Sequence, residues 1–201
     1  TFVGMKNYEY IIASLPEISQ NWKFGEGFSF RTYSEKIREL GDKNDKVLID
    51  KLLSGFSDEN LNEDFYKSML SEGDRFLKEY FTFDLNVRNA KARFLNNAFG
   101  RPAGQDTIKL ETGEFAEADA LGAVLQEKDI LQRERALDDL MWNKISRITT
   151  FNYFDIDAIL GFLAKLHIIA RWAELDEAAG RERFRDLVDE VKGTFELKTT
   201  I

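Results

Sequence analysis

The stretch that most constrains this chain runs from Phe151 to Gly193, FNYFDIDAILGFLAKLHIIARWAELDEAAGRERFRDLVDEVKG, and it reads as two helices joined near Leu175 and Asp176. At about 100° per residue, Ile156, Ile159, Leu163, Leu166, Ile169 and Ala170 fill one broad side of the first helix. That leaves a polar sector of only Asp157, Gly161, Lys165 and Arg171, and Ile168 and Trp172 fall inside even that. Such a pattern predicts a core helix enclosed by other elements around most of its circumference, with Asp155 as its N-terminal cap. The second helix carries one ordinary stripe, Gly180, Phe184, Leu187, Val188 and Val191, and is expected to cover the core from outside.

A chain of 201 residues, 43% of them hydrophobic, has enough apolar material for one large domain or two small ones. Its 28 basic and 36 acidic side chains leave a formal charge of −8, which argues against a general nucleic-acid binder. There is no cysteine, so a disulfide framework, a thiol nucleophile and a thiolate-ligated metal are all excluded, and the composition suits a reducing cytoplasm. The most apolar run, Ala158 to Ile169, is interrupted by Lys165 and His167 and falls short of the roughly 20 residues of a spanning helix, so direct membrane insertion is not expected. The residues TFVG ahead of Met5 lack the charged and apolar regions of a signal peptide, and Met5 reads as the natural start. Only Pro16 and Pro102 break the chain, which suits a mainly helical protein.

The expected architecture is a mainly α, multi-helix bundle in two helical halves, residues 1–100 and 115–201, joined by a connecting loop over 101–114. At the N-terminus, Tyr8, Tyr10, Ile11 and Ile12 favour a strand, with a short helix as the alternative. The segment FSFRTY alternates Phe28, Phe30 and Thr32 against Ser29, Arg31 and Tyr33, so the two segments together suggest a small N-terminal β-ribbon. Thr32 and Glu35 form a capping-box pattern that predicts a helix ending at Gly41. The next helix has its stripe on Val47, Leu48, Leu52 and Leu53 and stops at Gly55. Residues 63–81 read as one helix with Phe65, Tyr66, Met69, Phe76, Leu77, Tyr80 and Phe81 on one side. Gly73 in the middle of that side costs about 1 kcal/mol of helix propensity relative to Ala, which predicts close approach by another helix. A further helix spans 84–99, and two more follow the connecting loop: one over 115–125 and a longer one to about Thr150, with Leu137, Leu140, Met141, Ile145 and Ile148 inward.

On the helix over 84–99, Asn86, Asn89, Arg93, Asn96 and Asn97 line up at helical spacing. Asparagine is a poor choice for a solvated helix face because it competes for backbone hydrogen bonds. A row of amide donors and acceptors around one Arg therefore has two readings: contact with a partner's backbone or polar side chains, or the capping of loops within this protein. Elsewhere the chemistry is sparse. His167, the one histidine, borders an apolar sector without a second His, a Cys or an i+4 acid, and reads as structural. Asp155 and Asp157 read as helix-start carboxylates, and Asp138 and Asp139 as solvated surface. Gly25 and Gly27 lack the third glycine and the strand-to-helix context of a phosphate loop. No catalytic set, metal site, cofactor or small-molecule ligand is expected, and an acidic helical protein of this kind is expected to act through other proteins.

Two stretches carry a resemblance. The segment FDLNVRNAKARFLNNAFG, Phe83 to Gly100, resembles a helix in the C-type component of archaeal and bacterial V-type ATPases, the socket-like part related to the d-type component of eukaryotes. In that helix an acid, an asparagine and an arginine recur in an apolar setting, here Asp84, Asn89 and Arg93. The opening YEYIIASLP and the run FDIDAILGFLAKLHIIARWAELDEAAGRERF resemble a poorly characterised bacterial family whose genes sit among those of V-type ATPases, a likeness spanning most of the chain from Met5. The resemblance implies a mainly helical fold and a noncatalytic role, accessory or socket-like, in a proton- or sodium-moving rotary ATPase. Its partners would be V-type ATPase subunits on the stalk or membrane-ring side, and its place the cytoplasm, peripheral to the membrane. The alternatives are a helical structural or regulatory protein with an unrelated partner and, further off, an enzyme using acids and His167.

Overall fold

A computed structural model describes residues 7–20 and 29–174. The leading TFVG, the Gly25/Gly27 pair and the helix expected beyond Asp176 lie outside the described residues. The described elements are all helical: α1 (Tyr8–Ala13), α2 (Phe30–Leu40), α3 (Lys43–Ser54), a 3-10 turn (Asp58–Asn60), α4 (Glu63–Leu70), α5 (Arg75–Ala98), α6 (Ala118–Leu125), α7 (Ile130–Ile148) and α8 (Ile156–Glu174). The mainly α bundle is as expected, but the N-terminal β-ribbon is not formed. Tyr8 and Ile11 lie three apart on one helical face and are both buried, so burial outweighs the local strand preference. In the second segment the Ser29 side chain accepts a hydrogen bond from the backbone N–H of Thr32. The helix therefore starts at Phe30, and Thr32 lies within its first turn rather than capping it.

Two other expectations shift register. In α3 the capping box is made by Asp42 and Asp45, and the buried positions are Ile49 and Leu52, while Val47 is exposed. The single helix expected over 63–81 is two. α4 ends at Leu70, and Asp74 accepts from Leu77 N–H at 2.8 Å to start α5, which then continues to Ala98 without the predicted break near 82–83. Gly73 sits in the connection between them, and a Cβ there would meet nothing within 4 Å, so no helix approaches it. Close approaches occur instead at Gly55, where a Cβ would lie 2.3 Å from the Phe81 ring, and at Gly161.

α8 is the core helix. Leu160, Leu163, Ala164 and Leu166 are fully buried, and the helix touches α2, α3, α5 and α7. Each residue of its narrow polar sector has a neighbour on the α5 or α7 side. Asp157 pairs with Arg75 at 3.0 Å, and a Cβ on Gly161 would lie 2.7 Å from Thr149 Cγ2. The Lys165 ammonium sits 5.0 Å from the Trp142 ring centroid, and Arg171 pairs with Asp138. α7 runs antiparallel to α5, since Lys91 meets Glu134 while Arg75, at the other end, donates to the carbonyl of Ile148. One hydrophobic cluster, from Tyr8 to Ile169, draws residues from both sides of the 101–114 loop.

Candidate functional site

The asparagine row faces the loop after α5. Asn89, 7% exposed, pairs with both backbone groups of Ile108: its Nδ2 donates to the carbonyl at 2.9 Å and its Oδ1 accepts from the N–H at 2.9 Å. Asn96 is buried and donates to the carbonyl of Gln105 at 2.6 Å, and Asn86 accepts from the Thr112 hydroxyl at 2.8 Å. These three amides thus supply the partners that an irregular loop lacks in itself. Arg93 and Asn97 remain exposed on the outer side of the row and are its two members open to a partner.

Asp84 of the same helix accepts hydrogen bonds from Tyr66 and, at 3.0 Å, from Arg88, which also reaches Asp58 at 2.9 Å. Burial, with the Asp84 carboxylate adjoining, raises the Tyr66 hydroxyl above its usual pKa, so it stays a proton donor in this contact. Asp138 corrects the reading of Asp138 and Asp139 as solvated surface. It is 6% exposed, accepts from Trp172 Nε1 at 2.6 Å and pairs with Arg171. Burial raises its carboxyl pKa, and the Arg171 charge opposes that shift. Asp155 caps α8 by accepting from Ala158 N–H at 2.9 Å.

His167 is packed among aromatic rings, stacked on Phe56 at 4.0 Å with 2° between planes and edge-on to Phe30 at 5.7 Å. Burial pushes it down to about 4, with the Arg171 charge adding to the shift, so the ring is neutral at pH 7. The half-buried ring is held there by aromatic packing.

The feature that sequence reasoning passed over is the α7–α8 turn. Phe151, Tyr153 and Phe154 are 88%, 67% and 59% exposed. Side chains brace the turn: the Asn152 amide accepts from Arg75 at 2.8 Å and donates to the Asp155 carboxylate at 2.6 Å, and Arg75 also donates to the Ile148 carbonyl at the end of α7. The turn held by these bonds presents aromatic rings to solvent. The signal was three aromatics in four residues ahead of a helix cap, belonging to neither helical stripe.

Residues 107–194 match the profile of a family described as "Protein of unknown function (DUF2764)", a span under half of the chain that contains α6, α7 and α8. No curated protein and no solved structure matches the chain. Among the described residues no helix is long and apolar enough to cross a membrane, and no group of three or more His, Cys, Asp or Glu side chains is placed to hold a metal ion.

Proposed function

We propose that this protein is a noncatalytic, mainly helical component of a bacterial V-type rotary ATPase, acting through protein contacts in ion-transport coupling or assembly at the cytoplasmic side. The ATPase reading rests on the resemblance of Phe83–Gly100 and of the Phe154–Phe184 run to proteins of that assembly and its operons. Support for a docking role comes from the α7–α8 turn. Aromatic side chains of about 150–250 Å² each, exposed as Phe151, Tyr153 and Phe154 are, leave roughly 400 Å² of apolar surface on one braced turn. Contiguous patches of that size on a monomer are commonly functional. Folding does not require aromatic rings there, because the turn is held by Arg75, Asn152 and Asp155. Arg93 and Asn97 offer a further polar contact.

The test is capture of the tagged full chain from its native cells at low salt. Catalytic and stalk subunits of the ATPase are expected to come with the wild type and to be lost from the Phe151→Ser/Tyr153→Ser/Phe154→Ser variant at unchanged helicity. Recovery of the wild type alone, or with unrelated proteins, removes the ATPase reading. Equal recovery by wild type and variant removes the turn as the contact.

A further inference from the structure

A cleft of about 480 Å³ opens between α5 and α7, bordered by the 3-10 turn, the loop after α5 and the end of α8. Its floor is apolar, with Leu61, Val87, Ala92, Leu137 and Met141. Its charged lining is unbalanced: five acidic side chains (Asp58, Asp84, Asp106, Glu134 and the buried Asp138) stand against three cations (Arg88, Lys91, Arg171). Every one of those cations is already engaged. Arg88 holds Asp84 and Asp58, Lys91 holds Glu134 at 3.0 Å, and Arg171 holds Asp138. The surplus is negative and faces outward, since Asp58 and Asp106 are exposed. Exposed leucines stand further along both helices, near the C-terminal end of α5 and the N-terminal end of α7. Leu95, one turn beyond Lys91, is 44% exposed, and Leu131, three residues before Glu134, is 56% exposed. A groove with an apolar floor and polar walls is the shape that accepts one side of an amphipathic helix, whose anchors recur every three to four residues.

We propose that the α5–α7 cleft receives the apolar edge of a basic amphipathic helix from a partner protein. The acidic rim complements lysines or arginines flanking that edge, and the chain's charge of −8 draws such a segment in. The same charge disfavours a second copy of this chain and nucleic acid as occupants. The surface is separate from the aromatic turn, and the proposal stands or falls without the ATPase reading.

The probe is a fluorescently labelled Leu/Lys peptide of about 18 residues, long enough to hold a helix, with leucines at i, i+3, i+4 and i+7. Its control is a scrambled peptide of the same composition, and both are titrated against the full chain by anisotropy. The amphipathic peptide is expected to bind about tenfold more tightly than the scrambled one. The Leu95→Lys/Leu131→Lys variant is expected to weaken it by about tenfold, and Tyr10→Lys/Val47→Lys, which adds the same charge at exposed sites elsewhere, by less than about twofold. Equal binding of both peptides, or equal loss in both variants, would reduce the effect to general attraction and overturn the proposal. If the Leu95/Leu131 variant melts early, Asp58→Asn serves instead, with an expected loss of about threefold, and no loss counts against the site. Wild-type dimers in sedimentation that the Leu95/Leu131 variant dissolves would make the occupant a second copy and also overturn it.

Discussion

Two connections in this molecule use opposite chemistry. The long one between α5 and α6, residues 99–117, is fastened by asparagine side chains reaching out from α5 to Gln105, Ile108 and Thr112. The short one between α7 and α8, residues 149–155, is fastened from beneath by Arg75, Asn152 and Asp155, and turns its aromatic rings to solvent. In both cases the backbone's hydrogen bonds are met first, because an unmet buried donor or acceptor costs about 1–3 kcal/mol. Side chains left over after that requirement are free for contact. At the first connection the amides of α5 are used inside the protein, and at the second the apolar rings are left outside it. Polarity along the sequence is therefore a poor guide to which connection turns its side chains to solvent.

The contrast is sharpest at Asn89. Asn89→Ala leaves both the N–H and the carbonyl of Ile108 without their partner, and is expected to cost about 2–4 kcal/mol in urea unfolding. A loss below about 0.5 kcal/mol would show that the loop is held by something else. The next effect belongs to the other connection. Gly161→Ala drives a Cβ to 2.7 Å from Thr149 Cγ2 and is expected to cost about 1–3 kcal/mol. Thr149→Ser removes that methyl while keeping the hydroxyl that donates to Ile145, and in the same chain should restore most of the loss. If the pair is merely additive, the close approach at Gly161 is not what sets the α7–α8 packing. The smallest effect is expected from replacing Phe151, Tyr153 and Phe154 by serine, which should change thermal stability by no more than about 0.5 kcal/mol. A loss of about 2 kcal/mol would make those rings structural and dissolve the comparison.

Much of this organisation is legible in the residues alone. The apolar wheel of Ile156–Ala170 marks α8 as the enclosed helix, and Asp155 announces its start. The asparagine row is visible as an anomaly, but its direction is not, since an amide serves a partner's backbone and the chain's own backbone equally well. Asp138 is invisible as a buried group because nothing local distinguishes it from Asp139; Trp172 and Arg171, on a different helix, make the difference. The split between α4 and α5 is hidden because Met69 and Phe76, seven residues apart, keep one helical phase across Ser71–Asp74; Ser71 closes α4 and the Asp74 side chain starts α5.

What the sequence determined by itself was the helical class, the core helix, the acidic charge and the absence of cysteine, because each depends on periodicity or composition, which are local and additive. The tertiary structure decided the fate of individual polar and aromatic residues. It sent Asn89 and Asp138 inward and left Phe151, Tyr153 and Phe154 outside, and it assembled a cleft from α5, α7 and α8 that belongs to no single segment. Burial depends on which distant elements arrive, and hydrogen bonds on which backbone groups those elements leave unmet.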